Sequence, residues 1–351
     1  MKILIIKIGA LGDLIMSTPI IKRLQEHYSN KEIWLLTSSI YEELFANWEG
    51  IAIKTIERGS TIDTISIIRW IRKHKFSMLY DLQSNDRTAI ISALSGVAFR
   101  AGNHPRFPYH INPGSIYRGQ CHAFERLNKI LAKANIKPAV PLPYLPGNKE
   151  IKKKISNWIN SNNLTSKKFV IIHAGSSEQH IKKRWGYFSE LAKSLCEKNL
   201  GIIWVGSDDD RGINKQLSNS FGINATNKFS VLELIELGKH AIFAVTNDSA
   251  PMHILSCSDI PIYALFGPTN PKRTHALGQS NRVISMSSNF PADDSKFIPH
   301  DISKISLSRT LFPVDSLSIV RKYAASSEKR CISCSNKLVF SLRFQIFGDI
   351  P

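Results

Sequence analysis

A strand that is apolar on both faces and runs directly into a glycine turn and then a helix leaves few folds open to a chain. Ile3 to Ile8 is such a strand, the turn is Gly9-Ala10-Leu11-Gly12-Asp13, and helical spacing resumes through Leu14, Ile15 and Ile21. Strands buried on both faces belong to parallel sheets covered by helices. Ligands of such sheets bind in the crevice outside the carboxyl ends of the strands, so the turn predicts that Asp13 is a functional carboxylate. The plainer alternative is that Asp13 caps the helix, because an acid in a first turn complements the helix dipole.

Gly9 and Gly12 form G-x-x-G, which lacks the middle glycine of the dinucleotide fingerprint. The second strand, Glu32-Ile-Trp-Leu-Leu36, ends in Thr37-Ser-Ser39 where a ribose-binding acid is required. The first half therefore reads as Rossmann-like without an NAD site.

Further strands are expected at Ile33 to Leu36 and at Met78 to Leu82, giving the βαβ alternation of a parallel sheet. Residues 102 to 119 carry Pro, His, Arg and Tyr without a period and read as a loop over the crevice. Four prolines between Pro138 and Gly147, followed by the charged run Lys149 to Lys154, mark a linker. The pattern then restarts with strands at Phe169 to Ile172, Gly201 to Val205, Ala241 to Val245 and Ile260 to Phe266, and a helix from about Tyr187 to Lys198. The expected organisation is residues 1–147, residues 148–290 and a tail from 291 to 351, with a cleft between two Rossmann-like halves. Within the tail, Leu311 to Val320 reads as a helix and Leu338 to Phe347 as a strand or an interfacial element.

A length of 351 residues suits two domains. No apolar run is long enough to span a membrane and the first residues read as strand, so no signal peptide is expected and the expected location is the cytoplasm. Five cysteines (Cys121, Cys196, Cys257, Cys331 and Cys334) then read as reduced thiols, and the lone C-x-x-C at 331 to 334 makes at best an incomplete zinc site. The formal charge of +18 predicts an acidic partner. A glycolipid or membrane surface ranks above nucleic acid, for which no recognition module is present. An AT-rich genome produces the same lysine excess without any partner.

Two turns in the second half suit a diphosphate. His173-Ala-Gly175-Ser176-Ser177, followed by Lys182-Lys183-Arg184, offers hydroxyls, backbone N–H groups and cations after a strand, although a solvated basic loop has the same composition. Asn247-Asp248-Ser249-Ala250-Pro251-Met-His253 leaves a strand and enters a helix with proline in its first turn, a setting for an anion at Ser249, with Asp248 placed for sugar hydroxyls. His253 reads as a buried structural histidine or a catalytic one.

Five segments together resemble the glycosyltransferases that include the lipopolysaccharide heptosyltransferases. They are Lys7 to Asp13 continuing through Thr18-Pro19, Tyr80-Asp81-Leu82-Gln83, His173 to Ser177 with Lys183-Arg184-Trp185, Val205-Gly-Ser-Asp208, and Asn247 to Leu255 with Ala264 to Pro271. The resemblance covers residues 1 to 275 and implies a GT-B fold, two Rossmann-like domains facing across a cleft. It implies metal-independent inverting transfer of a heptose from ADP-heptose to the lipopolysaccharide inner core, without a cofactor. The enzyme would work in the cytoplasm, at the inner face of the membrane. In these terms Asp13 is the general base; Ser176, Ser177 and Lys183 hold the diphosphate; Asp208 reaches the ribose; and Asp248, Ser249, Ala250 and His253 grip the nucleotide end. Ala250 departs from the family's usual glycine. Arg87, Arg100 and Arg106 are candidates for acidic groups of the acceptor. A transferase using another nucleotide sugar, or a non-catalytic nucleotide-sugar or glycolipid binder, are the alternatives.

Overall fold

The computed structural model describes residues 1–57, 59–104, 108–114, 121–286, 298–308 and 310. Arg106, Cys331, Cys334 and both elements expected within 311–347 lie outside them. The compact unit Met1–Leu307 contains two parallel sheets.

The first sheet is built from β1 (Lys2–Ile6), β2 (Glu32–Ser38), β3 (Ile51–Ile56), β4 (Met78–Asp81) and β5 (Phe99–Gly102), in the order β3-β2-β1-β4-β5. Ile6 pairs with Leu36 on one side and Asp81 on the other, so the carboxyl ends of β1 and β4 lie level while β2 runs on to Ser38. Helices α1 (Leu11–His27), α2 (Thr61–His74), α3 (Asp86–Leu94) and α4 (Ala123–Lys133) accompany it. Ser60 caps α2 by accepting from the N–H of Asp63, and Asn85 caps α3 reciprocally with Thr88. These are the hydroxyl and amide caps that satisfy orphan N–H groups at helix starts.

Helix α5 (Lys149–Ser161) leads into the second sheet: β6 (Phe169–His173), β7 (Gly201–Trp204), β8 (Ile223–Asn224), β9 (Ala244–Asn247), β10 (Ile262–Leu265) and β11 (Val283–Ile284). Its order is β11-β10-β9-β6-β7-β8. Its helices are α6 (Phe188–Glu197), α7 (Arg211–Ser218), α8 (Val231–His240), α9 (Ala250–Ser256) and α10 (Pro271–Thr274).

The apolar run at Ala241 to Val245 enters its sheet later than expected. Residues 241 to 243 are part of the approach, and pairing starts at Ala244 and continues to Asn247. The 138–147 segment contains no helix or strand, and it lies along α1: the N–H of Tyr144 donates to Thr18 Oγ1 at 2.9 Å, and the Lys22 ammonium sits 4.5 Å from the centre of the Tyr144 ring.

Each sheet reverses its winding once, between β1 and β4 in the first and between β9 and β6 in the second. The crevice at such a reversal is where open α/β sheets bind ligands. Asp13 follows β1, Asp81 ends β4, His173 ends β6 and Asn247 ends β9.

The two halves meet where α1 packs on α9. A Cβ on Gly12 would come within 2.6 Å of His253 Cδ2, so the absence of a side chain in the first turn of α1 is what admits the imidazole. His253 is buried and its ring is hemmed in. Overpacking of this kind costs about 1–3 kcal/mol, and Gly12→Ala should lower the unfolding free energy by that amount in denaturant titrations. Coincident unfolding curves for the variant and the parent would show that this contact does not hold the halves together.

Candidate active site

One cavity of about 800 Å³ opens between the halves. Asp13 and Tyr41 line it from the first half; His173, Ser176, Ser177, Lys183, Asp248, Ser249, Ala250 and His253 line it from the second. Residues separated by more than two hundred positions in sequence thus share one wall of solvent.

Asp13 is half-buried in the first turn of α1, whose N-cap is Ala10 without any side-chain cap. The carboxylate is therefore not the capping group. The turn before it is held from β4: Oε1 of Gln83 accepts from the N–H of Ile8 and of Gly9, each at 3.2 Å. Gly9 has φ +146°, a region that side chains rarely adopt. Gln83 is itself fixed by Asp81, which is buried and accepts from the N–H of Gln83 at 3.0 Å, from the N–H of Ser84 at 2.7 Å and from the Tyr109 hydroxyl. Burial pushes the Asp81 carboxyl above its ordinary range against these hydrogen bonds. Lys7, the last charged residue before the turn, is also buried. Burial lowers its pKa to about 8, opposed by the nearby Asp13 carboxylate.

The second half arranges its turn around Asn247. Its Nδ2 donates to the carbonyls of Ala174 and Gly175 at 2.9 and 3.0 Å, and its Oδ1 accepts from the N–H of Trp185 at 3.3 Å. A single amide thus ties the 174–177 turn and the Lys183 segment to the start of α9. Lys183 Nζ lies 2.6 Å from Asp248 Oδ2, which also accepts from Thr269 Oγ1 at 2.6 Å. The carboxylate expected to meet sugar hydroxyls is instead the counter-ion of the lysine. Ser176 is likewise occupied: its hydroxyl donates to the His180 carbonyl at 2.9 Å, and Arg184 Nη2 holds its own carbonyl at 2.7 Å. Ser177 is exposed at the cavity, and Ala250 is the exposed first residue of α9.

Asp208, expected at the ribose, does not line the cavity. Its exposed side chain pairs with Arg211, which holds the carboxyl below its ordinary range. The inward residue is Asp210, which is buried. A Cβ on Gly175 or Gly206 would come within 1.6 or 2.5 Å of the Asp210 carboxylate, so the two glycines make the space that it fills. Asp210 Oδ2 accepts from the Ser207 N–H at 2.9 Å and lies 3.2 Å from His173 Nε2. Arg87 and Arg100, expected to meet acidic groups of the acceptor, are engaged within the first half. Arg87 donates to Thr64 Oγ1 and the Ser60 carbonyl, Arg100 to the carbonyls of Pro108 and Val97, and neither lines the cavity.

His253 is not poised as an acid. Burial lowers its pKa, outweighing the pull of Asp248 and Asp13, and its ring packs on Gly12. Among the described residues no group of His, Cys, Asp or Glu is arranged to hold a metal ion, and no helix is long and apolar enough to cross a membrane.

Two doubly wound parallel halves, with a charged cavity between their switch points, define a GT-B glycosyltransferase fold. The solved structure of a family 9 glycosyltransferase from Veillonella parvula matches with a TM-score of 0.77 at 19% identity, covering 91% of this chain and 97% of that one. The structure of E. coli ADP-heptose LPS heptosyltransferase II matches with a TM-score of 0.68 at 19% identity, covering 92% and 100%. The model of glycosyltransferase family 9 (heptosyltransferase) matches residues 64–296, and the chain belongs to that family. Lipooligosaccharide heptosyltransferase 2 of Haemophilus influenzae is 24% identical over 313 residues, 82% of this chain and 89% of that protein.

Burial raises the Asp210 pKa, but the His173 hydrogen bond and the Ser207 N–H outweigh it and hold the carboxyl below its ordinary value. A carboxyl depressed in the folded state contributes stability above its unfolded pKa of about 3.9, and that contribution is lost as pH falls through the folded pKa. Asp210→Asn should therefore destabilise the protein at neutral pH, with the gap narrowing below about pH 4. Thermal unfolding of both proteins across that range checks this, and a gap independent of pH would remove the charge of Asp210 from the explanation.

Proposed function

We propose that the chain transfers a heptose from ADP-heptose to the inner core of lipopolysaccharide, with inversion at the anomeric carbon. The observation that carries this reading is the placement of Asp13 and the Lys183–Asp248 pair on opposite sides of one cavity. The names of the relatives supply the sugar and the acceptor. Residues 1–147 would present the acceptor and residues 148–290 the donor. The acceptor would be an acidic glycolipid at the inner membrane surface, reached from the cytoplasm by a protein carrying +18 formal charge.

Inverting transfer needs a base on one face of the sugar and charge stabilisation on the other. Asp13 takes the proton of the acceptor hydroxyl as that oxygen attacks the anomeric carbon. The bond from that carbon to the diphosphate breaks on the opposite side, and ADP leaves with the electron pair. Lys183 has three ammonium protons. Two are engaged by Asp248, one by its carboxylate at 2.6 Å and one by its backbone carbonyl at 3.3 Å, which fixes the ammonium and leaves the third for the diphosphate. Backbone N–H groups near Ser177 supply further donors to the leaving group.

Asp13→Asn keeps the size and polarity of the residue and removes its ability to accept a proton. Turnover with saturating ADP-heptose and acceptor should fall by about 10²–10⁴-fold, with an unchanged melting temperature. Turnover like that of the parent would end the catalytic assignment. Lys183→Ala should weaken ADP binding by about 1.5–3 kcal/mol in calorimetry. An unchanged affinity, or tighter binding of UDP or GDP than of ADP by the parent protein, would overturn the donor assignment.

A further inference from the structure

Ser249 stands half-exposed on the cavity wall immediately before α9. Its Oγ lies 3.1 Å from Nδ1 of His173 and 3.3 Å from the carbonyl oxygen of Asn247. His173 is buried, and its other nitrogen faces the Asp210 carboxylate. A serine hydroxyl has one proton and two lone pairs, and the ring decides where that proton goes. When Nε2 alone is protonated it donates to Asp210, Nδ1 is bare, and Ser249 donates to it. When Nδ1 carries a proton, in the charged ring or the other tautomer, it donates to Oγ and the serine proton turns to the Asn247 carbonyl. In every protonation state the hydroxyl proton is engaged inside the protein, and a lone pair faces the cavity.

A lone pair opposes phosphate oxygens, which only accept, and attracts a ligand hydroxyl, which can donate. Ser249 adjoins the Asp248–Lys183 pair and precedes by one helical turn His253, whose ring touches Gly12 beside Asp13. Ser249 thus stands at the start of the helix whose first turn packs beside Asp13. We infer that Ser249 is a specificity-determining residue whose Oγ accepts a hydrogen bond from a hydroxyl of the transferred sugar, with His173 and Asp210 as positioning residues that keep its proton out of the cavity. The inference rests on the cavity taking a nucleoside diphosphate sugar, and it replaces the anion-holding role expected of Ser249.

Calorimetry with ADP and with ADP-heptose, measured separately in the absence of acceptor, tests it. In Ser249→Ala the affinity for ADP should stay within about twofold, while that for ADP-heptose falls about three- to tenfold, the loss of one neutral hydrogen bond. Ser249→Thr, which keeps the hydroxyl, should restore the difference. His173→Gln should narrow the preference for ADP-heptose over ADP, a ratio that a merely structural role would leave unchanged. Equal losses for both ligands in Ser249→Ala would assign the residue to phosphate or ribose, and no loss for either would remove it from the site; both overturn the inference. If the parent protein binds neither ligand, the donor reading itself falls, and this inference falls with it.

Discussion

The ring of His253 rests on the bare backbone of Gly12, and the geometry of the cleft follows from that contact. It sets the first turn of α1 against α9, and so brings the acid that follows β1 to the cavity wall formed after β6 and β9. The ring edge at Cδ2 and Nε2 faces the glycine, and burial biases the imidazole toward its neutral form. A residue that the sequence leaves open as a buried structural histidine or a catalytic one thereby serves as a spacer between two sheets. Its unpartnered Nδ1 is the cost of that position, since a buried polar atom without a hydrogen bond is destabilising.

Around this contact each turn is held by a neighbour from the adjacent strand rather than by its own sequence. Gln83 reaches from the end of β4 to the Gly9 turn, and Asn247 reaches from the end of β9 to the 174–177 turn. The two arrangements are alike: an amide side chain at one strand end satisfies backbone groups in the loop after the neighbouring strand at the switch point. Loops carrying function are otherwise the least constrained parts of a fold. Here the crossing hydrogen bonds give them the definition of the sheet itself.

Strands that are buried on both faces were legible because their apolar runs are nearly continuous, as at β1 and β6. β3 was not, because Ile51-Ala-Ile-Lys-Thr-Ile56 lies at the sheet edge with four of its six residues half-buried, and its alternation is weak. β8 and β11 have two residues each, too few for any period to show. Of the residues lining the cavity, Asp13 and the 247–253 turn were legible in turns after strands, and Lys183 as part of a basic cluster after the 173–177 turn. What could not be read was which polar groups satisfy one another. A run of three aspartates carries no mark of which one turns inward; only Gly175 and Gly206, which vacate the space for Asp210, hold that information, and they lie in other turns. The partners of Arg87 and Arg100 were not legible because they are mostly backbone carbonyls, which have no signature in sequence.

The internal pairing of charges also separates two roles of the basic excess. The formal +18 is a property of the whole chain, and any long-range attraction it exerts is screened over about 8 Å at physiological ionic strength. At the cavity Lys183 is held by Asp248, and Asp13, Asp209 and Asp210 add further carboxylates to the wall. A diphosphate entering there meets directed donors rather than a pool of unpaired cations. Directed donors suit a leaving group, because they favour the charge that develops on the departing oxygen without holding the product as tightly as bare charges would. The pairing of Lys183 with Asp248 is thus consistent with a site that must release its nucleotide after each transfer.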